Sequence, residues 1–198
     1  MENKIANKII IATANPHKLE EINAINTFKT LSLELVKGQF NPEEKGSSYF
    51  ENAYIKAFEA AKIMENYCLA DDSGLSVDAL GGAPGLHSAR YAGSQKEKIE
   101  KLIEELKQIP QEKRTASFIS VMVLVDKNGN VVHQTEGQIH GIIIDEPKGT
   151  EGFGYDPIFF VPEYNQTMAE MPSELKNSIS HRAKALLPML DWINSNLK

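Results

Sequence analysis

Two adjacent carboxylates, Asp71 and Asp72, close the apolar run 67–70 and are followed by Ser73 and Gly74. A buried carboxylate is unfavourable unless a metal, a cation or a proton compensates it, so an acidic pair at the end of an apolar strand is a candidate for chemistry. Asp and Ser also close turns well, and a plain turn is the other reading of the pair. Hard oxygen ligands from a few carboxylates, with positions left for water and phosphate, are what Mg2+ prefers. Glu44 and Asp72 could supply such ligands from different elements. The His and Cys residues do not cluster at ligand spacing, which argues against zinc.

Three further segments have side chains suited to a charged ligand. Thr13-Ala14-Asn15-Pro16-His17-Lys18 lies at a strand-to-helix junction, where amide donors and the positive helix end suit an oxyanion or phosphate, and Lys18 could add its charge. It is not the Gly-rich Walker loop, and an ordinary helix start also explains it. In the second segment Glu43 and Glu44 precede a helix carrying Glu51, Asn52 and Lys56; the four-residue step puts Asn52 and Lys56 on one face. The plainer alternative there is surface charge with a Glu–Lys support pair. In the third, Gly152 and Gly154 bracket Phe153, and Asp156, His181 and Arg182 follow. The glycines give the backbone room to hold the ring in an unusual position. A flat aromatic can stack on a base, Asp156 can accept from ring N–H groups, and His181 and Arg182 can donate to a ring carbonyl. A lone aromatic or histidine is commonly structural; together these residues favour a ligand site.

These residues need an α/β scaffold. The β-branched run 8–13 predicts a strand, and Pro16 with Leu19, Ile22 and Ile25 predicts a helix after it. A short strand is expected over 31–36, a polar, turn-rich stretch over 39–48, and a long helix opening at Ser48, with Ser48 and Glu51 at capping-box spacing. Residues 67–70 read as a strand and 95–109 as an exposed amphipathic helix on Ile99, Leu102, Ile103 and Leu106. Strands 116–125 and 131–140 flank Asn128-Gly129, a strong hairpin signal, and 180–194 reads as helix. This order predicts one α/β domain over residues 1–198 with a mixed sheet.

Composition narrows the class. The 198 residues include 41% hydrophobic and 24% charged side chains, an ordinary globular balance. No apolar stretch approaches the roughly 18 residues of a membrane span, and the N-terminal apolar run is too short for a secretory signal. A single cysteine, Cys68, rules out an internal disulfide framework and suits a reducing cytoplasm. A formal net charge of −6 argues against nucleic acid and anionic membranes as partners, while leaving room for a local cationic pocket.

The stretches TANPHKLEEI (13–22), ENAYIKA (51–57), ADDSGLSVDALGGAPGLHSARYAG (70–93), EGFGYDPIFFVP (151–162) and SHRAKAL (180–186) resemble the inosine triphosphate pyrophosphatase family. Ala14 and Glu151 stand where many relatives carry glycine, and neither change removes a functional side chain. The resemblance implies a mixed-sheet, two-lobed fold with the substrate in a cleft between the lobes, usually a homodimer. It implies Mg2+-dependent hydrolysis of ITP, dITP or XTP to the monophosphate and pyrophosphate. By motif position, Thr13, Asn15, Lys18 and Lys56 would hold the triphosphate, and Glu44 the metal, with Glu43 as its possible substitute. Asp72 would be the metal-linked general base, with Ser73 beside it. Phe153, Gly154, Tyr155, Asp156, Lys176, His181 and Arg182 would form the base and phosphate pocket. Adjacent strand residues point to opposite faces, so Asp71 is expected to support Asp72 rather than share its role. The remaining alternatives are a pyrophosphatase for other modified nucleotides and a nucleotide-binding sensor without catalysis.

Overall fold

The computed structural model describes residues 7–26, 31–36 and 40–197. In chain order these form β1 (Asn7–Ile11), α1 (Pro16–Ile25), β2 (Leu31–Leu35), α2 (Tyr49–Met64), β3 (Cys68–Val77), α3 (Gln95–Leu106), β4 (Thr115–Val125), β5 (Val131–Ile143), β6 (Phe159–Val161), β7 (Gln166–Thr167), α4 (Ser173–Ile179) and α5 (His181–Asn196). The strands make a sheet in the order β2-β1-β3-β4-β5-β6-β7. It is mixed, as expected: β1 runs parallel to β2 and β3, whereas β6 runs antiparallel to β5 and β7. The chain divides into two compact units. The first comprises Met1–Asp72, Ser120–Gly137 and Arg182–Lys198; the second comprises Ser73–Ile119 and Gln138–His181.

The first unit is built on the three isoleucines of β1. Successive strand residues face opposite sides, so Ile9 and Ile11 join a cluster with Ile22 and Ile25 of α1 and Leu186, Leu190 and Ile193 of α5. Ile10 faces the other way, against Ala53, Ala57, Ala60 and Ala61 of α2. That alanine stripe makes the helix face nearly flat, so α2 can lie close to the strand with its polar residues beside it. The second unit has its own core. Leu75 and Val77 of β3 pack with Leu102 and Leu106 of α3, and with Phe118, Ile158 and Phe159.

Several boundaries differ from the sequence expectation, each for a physical reason. β3 does not stop at Ala70 but runs through both aspartates to Val77, because both carboxylates find partners inside the fold and need no turn. The Asp-Ser-Gly turn reading is therefore wrong. The capping box is half formed: Ser48 Oγ accepts from Glu51 N at 3.1 Å, but the Glu51 carboxylate takes the backbone and side chain of Ser47. Helix α4 and strands β6 and β7 are too short for periodicity to reveal. The expected hairpin forms, with Asp126 Oδ1 accepting from the amides of Asn128 and Asn130 and Gly129 at φ 84°. The secretory-signal expectation rests in part on residues 1–6, and the polar stretch begins at Gln39; these positions lie outside the described residues.

Cys68 opens β3, fully buried in the cluster against α2, and burial pushes its thiol up to about 12. A thiolate is the reactive species, so the folded protein should resist a thiol reagent such as DTNB at pH 8. Reaction is expected only as urea unfolds the chain, which a colorimetric titration along the unfolding curve would follow; rapid labelling of the native protein would contradict this burial.

Candidate functional site

The strand geometry of β3 separates the two aspartates into different networks, both in the first unit. Asp71 accepts from Ser120 Oγ at 2.6 Å through Oδ1. Its Oδ2 faces Lys18 Nζ at 2.8 Å and Arg182 Nη2 and Nε at 3.3 Å. Arg182, 1% exposed, also pairs with Glu21. Burial alone would raise the Asp71 pKa, but the Lys18 and Arg182 charges outweigh it and hold the carboxyl well below the usual range. In this set two carboxylates, Asp71 and Glu21, meet two cations, Lys18 and Arg182.

Asp72 has different company. Lys56 Nζ donates to its Oδ1 at 2.9 Å, and Asn52 Nδ2 to its Oδ2 at 3.3 Å. The same Lys56 ammonium lies 2.8 Å from Glu44 Oε1. Helical spacing explains why Asn52 and Lys56 reach one carboxylate together. Asn52 also accepts from Gly46 N at 2.8 Å through Oδ1, tying the Glu44 turn to α2. A Cβ on Gly46 would sit 2.6 Å from Glu51 Cβ and 2.7 Å from Asn52 Oδ1, so only glycine permits this approach. Burial raises the Asp72 pKa despite the Lys56 charge, while the charges of Asp72 and Glu44 overcome burial and raise that of Lys56.

Here two carboxylates share the Lys56 ammonium. The structure also separates the two glutamates: Glu44 joins Lys56, whereas Glu43 pairs with Lys45 on the surface. No cluster of three or more His, Cys, Asp or Glu side chains that could hold a metal occurs among the described residues. Two neighbouring carboxylates still fit Mg2+, which prefers hard oxygen ligands, keeps several waters and takes further oxygens from phosphates rather than needing an all-protein cage.

At the junction before α1, Thr13 Oγ1 accepts from Asn15 N at 3.1 Å and Asn15 Oδ1 accepts from His17 N at 3.0 Å. Both side chains therefore cap the helix start and take up amides expected to face an anion. Lys18, expected to meet phosphate, rests on Asp71.

The residues singled out at 152–182 fall mainly in the second unit. Asp156 Oδ2 accepts from Phe153 N at 2.9 Å and Lys176 Nζ at 2.8 Å, and the same ammonium lies 5.3 Å from the Phe153 ring centroid. Gly152, at φ 76°, brings the chain so near that a Cβ would lie 2.1 Å from Asp156 Oδ2. Gly154 is also left-handed, at φ 65°, which places Phe153 between two glycine-favoured turns. Tyr155 is 3% exposed in the core, its hydroxyl donating to Ser88 O, so it anchors this segment. His181 stacks on Phe118 at 4.9 Å and 15°. Ser73 is half-buried on β3.

Sequence reasoning missed Ser120, Glu21 and Phe118. Ser120 is a hydroxyl between Ile119 and Val121 in the apolar stretch of β4, a signal that a buried polar partner exists. Glu21 and Phe118 carry no comparable mark.

The fold is a mixed α/β sheet whose first unit buries adjacent carboxylates against two lysines and an arginine. The Ham1 family model matches residues 9–192, and the chain belongs to the Ham1 family. A dITP/XTP pyrophosphatase of Desulforamulus reducens is 44% identical over 193 residues, covering 94% of this chain and 96% of its own. That of Geobacter sulfurreducens is 47% identical over 192 residues, covering 94% and 96%. Among solved structures, a HAM1 protein from Coxiella burnetii superposes with a TM-score of 0.85 at 38% identity, covering 96% of this chain and 99% of that one. The Staphylococcus aureus Ham1 protein gives 0.85 at 37% identity, with the same coverage.

Breaking the buried Asp71 network should be severe. Arg182→Ala leaves the Asp71 and Glu21 carboxylates short of a cation, at a cost of about 3–5 kcal/mol. Urea unfolding of the variant against the native chain measures it, and a loss below about 1 kcal/mol would show that Arg182 is not central to the network.

Proposed function

We propose that this chain hydrolyses non-canonical purine nucleoside triphosphates, ITP, dITP and XTP, to the monophosphate and pyrophosphate, with Mg2+ as cofactor. The observation that carries the reading is the lysine-bridged Glu44–Asp72 pair, in a chain of a family whose relatives include dITP/XTP pyrophosphatases.

Glu44 and Asp72 would hold the cation, which when bound would neutralise phosphate charge and polarise the scissile anhydride. Asp72 takes the proton of the attacking water. Asp71, kept ionised, holds Lys18 in place, and Lys18 and Lys56 supply positive charge to the triphosphate. Thr13 and Asn15 shape the turn at its phosphates. Ser73 lies next to the base in sequence.

Base recognition falls to Phe153 by stacking, to Asp156 and Lys176 through their shared pair, with Gly154 and Tyr155 setting the segment. His181 donates to the ring carbonyl at purine position 6, and Arg182 contributes beyond its carboxylate pairs. Adenine presents an amino group there, leaving a buried donor unpaired at a cost of roughly 1–3 kcal/mol. In the same reading the protein is a cytoplasmic homodimer that cleanses the nucleotide pool, with no nucleic-acid or membrane partner. The net charge of −6 supports the last point, and no helix among the described residues is long and apolar enough to cross a membrane.

Pyrophosphate release measured side by side with ITP, dITP, XTP, GTP and ATP in Mg2+ should favour the first three. Asp72→Asn should abolish release while the variant still binds nucleotide. Binding by the native chain without release would mark a sensor instead, and near-native turnover by Asp72→Asn would remove the base assignment. Phe153→Ala should raise KM roughly tenfold or more, since stacking on a base is worth about 1–3 kcal/mol. An unchanged KM in steady-state assays would return that ring to a structural role.

A further inference from the structure

Tyr49, Asn52 and Lys56 follow one another on α2 at steps of three and four residues, so they share one helix face. Asn52 and Lys56 both reach Asp72. Tyr49 lies one turn earlier, with its ring packed against the cluster that holds Ile10, Val36 and Ala53. Its hydroxyl is buried and has no hydrogen-bond partner among the described residues. Burial, and then the Asp72 charge, push the phenol up to about 12, so it stays neutral at physiological pH. A buried hydroxyl left unpaired is unfavourable, and native folds rarely keep one without a use.

We infer that Tyr49 is a further ligand-positioning residue of the Glu44–Asp72 site: its hydroxyl oxygen accepts a hydrogen bond from a water carried by the divalent cation those carboxylates hold. The inference rests on the cation reading above. A cation held by two carboxylates retains several waters, and its charge makes their O–H groups strong donors in need of acceptors. A neutral phenol on the face of α2 that serves Asp72 meets that need without adding charge. No covalent step is involved.

The test is Mn2+ titration of the full chain and of Tyr49→Phe without nucleotide, with free Mn2+ read by electron paramagnetic resonance and urea unfolding of both metal-free proteins run in parallel. Phenylalanine keeps the packed ring and removes only the oxygen. The Mn2+ dissociation constant should rise about three- to tenfold, the effect of one lost hydrogen bond. The metal-free variant should unfold at the same urea concentration as the native chain or a higher one, since it no longer buries an unpaired hydroxyl. Equal Mn2+ affinity of the two proteins, or a less stable metal-free variant, would overturn the assignment of Tyr49 alone. A native chain that binds no Mn2+ would overturn the cation reading and this inference together.

Discussion

The first unit depends on keeping two neighbouring carboxylates ionised inside a sheet strand. Two negative charges one residue apart in a buried strand would each favour taking a proton. The pleat of β3 resolves this by turning the side chains to opposite faces, where each finds its own cations. Lys18 and Arg182 arrive from the starts of α1 and α5, and Lys56 from the third turn of α2. Helix placement in this unit is therefore tied to charge compensation as much as to the apolar clusters around Ile9, Ile10 and Ile11.

The two carboxyl groups are shifted in opposite directions. Around Asp71 the named charges cancel, and the carboxyl is held below its usual range, which suits a fixed support. Around Asp72 two carboxylates share Lys56, and burial raises the Asp72 pKa despite that charge. One strand thus presents two carboxyl groups of the same type with opposite shifts. The division of labour follows from surroundings, since the side chains are chemically identical.

Much of this was legible beforehand where local pattern dominates. The Asn15-Pro16 helix start, the Ser48 cap, the Asn128-Gly129 hairpin and the amphipathic α3 depend on near neighbours in sequence, and each formed. The expectation that the two aspartates point to opposite faces came from strand alternation and agrees with their separate networks. The extent of β3 was misread, because an acidic pair looks like a strand end until its partners, tens of residues away, are known. The pairing of Lys18 with Asp71 was equally hidden, because it depends on a strand 53 residues distant.

The amino-acid sequence by itself determined the class of fold and the family, because these follow from residue type, short-range periodicity and matching motifs. Only the tertiary structure decided which carboxylate meets which cation. It singled out Glu44 over Glu43, added Ser120 and Glu21 to the Asp71 network and exposed the unpaired Tyr49 hydroxyl. The physical reason is that a buried charge is governed by the few groups within hydrogen-bond reach, and the fold draws those from remote parts of the chain.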